Sequence, residues 1–147
     1  MKFTIGELAK KTKLSADAIR FYEKKKLIAP AQRANNNYRY YDEDSLTRLT
    51  FIRHCRELGM SLKEIEALHL QLQHPLNNCS EVKQVITNHL AHVNEKIAQL
   101  KVFKEQLEQL QHSCHSDETI QSCQIIQALQ RSDDEQSFGH VSTIDLH

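Results

Sequence analysis

The sequence has no tryptophan, only three glycines and only two prolines in 147 residues. Such a shortage of chain-breaking residues excludes a fold built on many tight β-turns and points to a helix-rich chain. No run of about 18 consecutive apolar residues occurs, which excludes a transmembrane helix, and no membrane partner is expected. The opening Met1-Lys2-Phe3-Thr4 leads directly into a patterned segment and lacks the apolar stretch of a secretory signal, so a cytoplasmic location is expected. A glycine-rich phosphate loop and a His-Glu-x-x-His motif are also missing, which argues against an enzyme. Four cysteines, Cys55, Cys79, Cys114 and Cys123, are present. In a reducing compartment they read as thiols or metal ligands before disulfides.

The formal net charge is zero, yet the charges are not evenly spread. Residues 1–70 carry 14 Lys/Arg against 9 Asp/Glu, whereas residues 71–147 carry 5 against 10. A basic half is the electrostatic footprint of a polyanion partner, and an acidic half keeps the rest of the chain away from it. Thr4-Ile5-Gly6-Glu7 forms a capping box that opens a first helix ending near Lys11. Thr12-Lys13-Leu14 then makes a tight turn, and Ser15 caps a second helix expected to reach about Lys26. Two short helices joined by about three residues have helix-turn-helix spacing.

Beyond Pro30, the run from Arg33 to Tyr41 holds three asparagines suited to a positive-φ turn and a tyrosine-rich stretch suited to a strand. A hairpin wing beside the second helix follows. Asp42 caps a third helix through Leu58, with Leu46, Leu49, Ile52 and Cys55 on one stripe, and Gly59 supplies its C-terminal turn. Cys55 therefore reads as core. Ser61-Leu62-Lys63-Glu64 is a second capping box, opening a fourth helix to about Leu72. After Pro75, Ser80 starts the longest helix, expected to end near His112. Along it Ile86, Val93, Leu100 and Leu107 recur every seven residues, with Leu90 and Ile97 between them and Phe103 and Leu110 continuing the stripe. Such heptads describe a coiled-coil seam. With no second long helix in the chain to cover it, the expected partner is another copy, giving a two-fold homodimer.

The second helix carries Arg20 and Tyr22, and the wing carries Arg33, Tyr38, Arg39 and Tyr41. Arginine neutralises phosphates, tyrosine hydroxyls donate to phosphate oxygens, and a helix N-terminus at Ser15 suits the major groove. Four segments now stand in order: Ile5-Gly6-Glu7-Leu8-Ala9, Ile19-Arg20-Phe21-Tyr22-Glu23, Asn37-Tyr38-Arg39-Tyr40-Tyr41, and Phe51 through Met60. Together they resemble the N-terminal winged domain of MerR regulators, over roughly residues 4–72. That resemblance implies a dimer bound to a palindromic operator in double-stranded promoter DNA. It further implies that the activated dimer bends and untwists an over-long spacer until RNA polymerase can use both promoter elements. It places Arg20, Tyr22, Tyr38, Arg39 and Tyr41 where such proteins clamp phosphates.

Cys79 lies just before the long helix and Cys114 just after it, 35 residues further on. A straight helix of that length separates them by about 50 Å, too far to share one ion within a subunit. In an antiparallel pair, Cys79 of one chain meets Cys114 of the other, and Cys123 returns to the same place through the loop His115 to Ser122. Three thiolates suit Cd²⁺, Hg²⁺ or Pb²⁺, whereas Zn²⁺ prefers a fourth ligand. The same three cysteines are similar in spacing to the divalent heavy-metal branch of MerR sensors. The flanking loop resembles the cadmium/lead sensors more than the mercury or zinc ones, and thiol-based redox sensing is the further alternative. His89 and His92 on the long helix, and His112 and His115 beside Cys114, are accessory candidates. The expected architecture is mainly α. A winged helix-turn-helix DNA-binding domain spans 1–74 and a dimerisation helix 75–112, followed by a metal-binding loop with a short helix (113–130) and a disordered tail (131–147).

Overall fold

The computed structural model describes residues 1–132, and the remainder of the expected tail, with His140 and His147, lies outside the described residues. It is mainly helical, and its helices start where side chains satisfy orphan backbone amides. Helix α1 (Ile5–Thr12) begins with the complete Thr4–Glu7 capping box and stops at Lys13, which adopts the left-handed conformation. Helix α2 (Ala16–Lys24) is capped by the Ser15 hydroxyl, which accepts from the Ala18 amide. It ends two residues sooner than the sequence suggests. Lys26 takes a φ of 64°, and the Lys26 and Leu27 amides donate back to the Glu23 and Tyr22 carbonyls, which closes the helix and turns Leu27 into the core.

The hairpin consists of β1 (Gln32–Arg33) and β2 (Arg39–Tyr40), antiparallel with Arg33 opposite Arg39. Asn37, at φ 69°, provides the left-handed turn position. A short N-terminal bridge adds to it: Phe3 and Tyr41 exchange both backbone hydrogen bonds at 2.8 Å. Helix α3 (Glu43–Glu57) is capped by Asp42 and terminated at Gly59, where φ is 79°. There the Met60 amide donates to the Cys55 carbonyl and the Gly59 amide to that of Arg56. Helix α4 (Leu62–Gln71) opens with the Ser61–Glu64 capping box. Helix α5 (Ser80–His112) is 33 residues long.

The chain divides into two compact units, Met1–His89 and a second beginning at Leu90. In the first, Leu8, Ile19, Leu27, Leu49, Ile52 and Ile65 are fully buried, one or more from each of α1 to α4. Val82 and Val85 bring the start of α5 against that core. His89 fixes this docking through polar contacts: Nε2 lies 2.8 Å from the Leu58 carbonyl and Nδ1 lies 3.1 Å from a Glu64 carboxylate oxygen. In the second unit, α5 runs to His112, a 3₁₀ turn covers Ile120–Ser122, and helix α6 (Gln124–Gln130) follows. Phe103, Leu107, Leu110 and Leu129 line an apolar cavity of about 320 Å³ there.

Candidate nucleic-acid interface and metal centre

The basic residues expected to meet a polyanion lie on α2 and the hairpin. Ser15, Arg20, Arg33, Tyr38 and Arg39 are all exposed, Tyr38 at 71%. Local contacts orient three of them. Arg20 pairs with Asp17 one turn earlier at 3.2 Å. Arg33 donates to Asn37 Oδ1 at 2.8 Å, bracing the hairpin turn, and Arg39 donates to Glu23 Oε2 at 3.0 Å.

Tyr22 and Tyr41 stand differently. Both rings are buried, and both hydroxyls are engaged inside the unit. The Tyr22 hydroxyl accepts from Arg56 Nε at 3.2 Å, so it keeps its own proton for a further acceptor. Tyr41, 3% exposed, donates its proton to Glu23 Oε1 at 2.6 Å. Burial first, then that hydrogen bond and the negative charge of Glu23, push its hydroxyl up to a pKa of about 12. The alternation that marks a wing strand gives no warning of this burial, which follows from the Phe3 bridge. Glu23 and Arg56 are the residues a reading for phosphate contacts passes over. Glu23 did leave one signal: between Asp17 and Asp42 it is the sole acid among six Lys/Arg.

Cys55 is buried in the α3 stripe, and burial raises its thiol above the ordinary range. Cys79 is exposed in the first unit. Its carbonyl accepts the first helical bond of α5 from Lys83, while Asn78 Oδ1 caps the Ser80 amide. Cys114 and Cys123 belong to the second unit. Cys114 accepts from the Ser116 amide at 3.4 Å, helped by the left-handed turn at Ser116. Cys123 is the N-cap of α6, and its thiol is lowered chiefly by the Ile126 amide. The Ile125 amide and the Cys114 side chain act in the same direction, against burial and Glu118. The loop thus brings two sulfurs together and favours the thiolate at one of them.

Two family models match the chain between residues 3 and 110. Residues 3–71 match the MerR HTH family regulatory protein and residues 46–110 match MerR, DNA binding. Over 133 residues the chain is 36% identical to the HTH-type transcriptional regulator ZntR of Escherichia coli K12, covering 88% of this chain and 93% of that one. This chain belongs to the MerR family. A probable heavy metal-dependent transcriptional regulator of Haemophilus influenzae is 40% identical over 85% of this chain and 97% of its own length. Among solved structures, the regulator PbrR691 of Ralstonia metallidurans CH34 in complex with lead(II) matches with a TM-score of 0.77 and 37% identity. That likeness covers 86% of this chain and 98% of that one. The mainly helical fold expected from the sequence is shared with that lead(II)-bound regulator.

Proposed function

We propose that this MerR-family protein is a cytoplasmic, metal-responsive transcriptional regulator. It binds a palindromic operator in promoter DNA as a homodimer and activates RNA polymerase by distorting that DNA when a soft divalent ion is bound. The observation that carries the metal reading is that Cys114 and Cys123, both free and partly exposed thiols, interact through their side chains in the loop between α5 and α6. Two sulfurs are one short of a three-thiolate site, and Cys79 of the partner subunit supplies the third. Helix α5 spans about 50 Å at 1.5 Å per residue, so an antiparallel pair brings the start of one helix to the end of the other. Its apolar stripe supports that pairing: Ile86, Leu90, Ile97, Leu100 and Leu107 are all exposed in the single chain.

Residues 1–74 form the DNA-binding domain, 75–112 the dimerisation helix and 113–130 the metal-binding loop and short helix. Arg20, Arg33 and Arg39 neutralise phosphates, Tyr38 packs on the backbone, and Ser15 presents the N-terminus of α2 to the major groove. Tyr22 contributes its hydroxyl proton, whereas Tyr41 acts from inside by fixing the wing. Cd²⁺ or Pb²⁺ is the favoured inducer, since three thiolates match soft ions and one solved relative is a lead(II) complex. A promoter-reporter titration with Cd²⁺, Pb²⁺, Hg²⁺ and Zn²⁺ tests this. Induction at the lowest concentrations by Cd²⁺ or Pb²⁺, lost in Cys79→Ser, Cys114→Ser and Cys123→Ser, is the expected result. A stronger response to Hg²⁺ or Zn²⁺ reassigns the ion, and induction by oxidant alone replaces metal sensing with thiol oxidation.

A further inference from the structure

Glu23 sits on α2 as the sole acid between Asp17 and Asp42, with its side chain only 16% exposed. Its Oε1 accepts from the Tyr41 hydroxyl at 2.6 Å and from the Ala31 amide at 3.3 Å, and its Oε2 accepts from Arg39 Nη2 at 3.0 Å. The three donors come from both roots of the hairpin, Ala31 ahead of β1 and Arg39 and Tyr41 in and after β2. We propose that Glu23 is a positioning residue for DNA binding. It holds the hairpin against α2 and presents the Arg39 guanidinium in a fixed orientation to a phosphate. This rests on the DNA-binding reading above and adds to it a residue that touches no DNA.

The hairpin needs such an anchor. Beyond the Phe3–Tyr41 bridge it has only two residue pairs, and hairpins of that length are marginal on their own. Glu23 is fit to provide one, because its side chain is 16% exposed while that of Arg39 is 51% exposed. The carboxylate is shielded from solvent and the cation is presented to it. Arg39 uses one nitrogen on Glu23, and the planar guanidinium keeps further donors for an outside oxygen. A long side chain ordered before binding loses less freedom when it meets its partner. The sign of the effect separates this role from a bare charge. A carboxylate near DNA repels phosphate, so a Glu23 that did nothing else would weaken binding, and its removal would strengthen it.

The test uses the full-length protein and the duplex it selects from a random-sequence pool, with affinity measured by fluorescence anisotropy at several salt concentrations. Glu23→Ala is expected to weaken binding about tenfold at every salt concentration, because a charge-assisted contact is lost. Its salt slope should match wild type, whereas Arg39→Ala should lower the slope by about 0.9. In the Arg39→Ala background the effect of Glu23→Ala should shrink to less than about threefold, as expected when one residue acts through the other. Glu23→Gln keeps an acceptor for Tyr41 and Ala31 and should lose only about two- to fivefold. Binding by Glu23→Ala at or above wild-type strength overturns the proposal, as does an undiminished effect without Arg39. If Glu23→Ala does not fold, Glu23→Gln decides: a small loss at unchanged slope supports the proposal, and equal or tighter binding overturns it. Failure of the wild-type protein to select any duplex removes the DNA-binding reading itself, and this proposal with it.

Discussion

Replacing Cys55 with alanine separates the cysteine that builds the core from those assigned to metal. Cys55 is 6% exposed on the inward stripe of α3. Removing its sulfur deletes roughly one methylene-sized group and leaves a small void, worth about 1–1.5 kcal/mol. Alanine returns about 0.6 kcal/mol in helix propensity within the interior of α3. The net loss is about 0.5–1 kcal/mol, which for a chain of this size lowers the melting temperature by about 1–4 °C. Circular dichroism melts at one fixed protomer concentration, with chelator present, measure it. Adding Cd²⁺ at about a hundredfold excess over its Kd should then stabilise both wild type and Cys55→Ala by about 2.7 kcal/mol. Cys123→Ser should do the reverse, melting as wild type in chelator and gaining nothing from metal. Loss of the metal increment in Cys55→Ala would refute the division of labour among the cysteines, and so would its retention in Cys123→Ser.

Other consequences follow from the same contacts. Ser61→Ala removes the hydroxyl that accepts the Glu64 amide at 3.1 Å and should cost about 1 kcal/mol in urea unfolding. Between pH 10 and about 12, Tyr41 remains protonated when folded but ionises at its ordinary pKa of 10 when unfolded. The wild type should therefore lose stability as pH rises through that window, and Tyr41→Phe should lack this component in alkaline melts. Leu100→Asp places a charge in the α5 stripe and should shift sedimentation toward a monomer; an unchanged dimer would contradict the seam.

Most of the fold was legible because its punctuation is local. Thr4, Ser15, Asp42 and Ser61 each cap a helix through a contact three residues away, and Gly59 turns the chain through its own backbone freedom. The 33-residue span of α5 was readable from its heptads for the same reason. What stayed hidden depends on contacts distant in sequence. Tyr41 is buried because Phe3, 38 residues earlier, bridges to it, and its hydroxyl is taken by Glu23, 18 residues earlier. The early end of α2 has a similar origin, since Leu27 is drawn into the core at 2% exposure. In the α5–α6 loop, the cysteine spacing was visible in the sequence. The α6 amides that lower Cys123 appear only once the 3₁₀ turn at Ile120–Ser122 has brought the chain round.

The central claim, a three-thiolate site completed across a dimer, is tested most directly by mixing two inactive variants. Cys79→Ser and Cys114→Ser are unfolded and refolded separately and then together, and each sample is titrated with Cd²⁺ while thiolate-to-metal charge-transfer absorption is recorded. Each variant alone should show no three-thiolate band. Random pairing in the mixture gives heterodimers with one intact site each, so the band should recover to about one quarter of the wild-type intensity. A mixture no better than its components, with heterodimers verified by mass, would contradict a site shared between subunits.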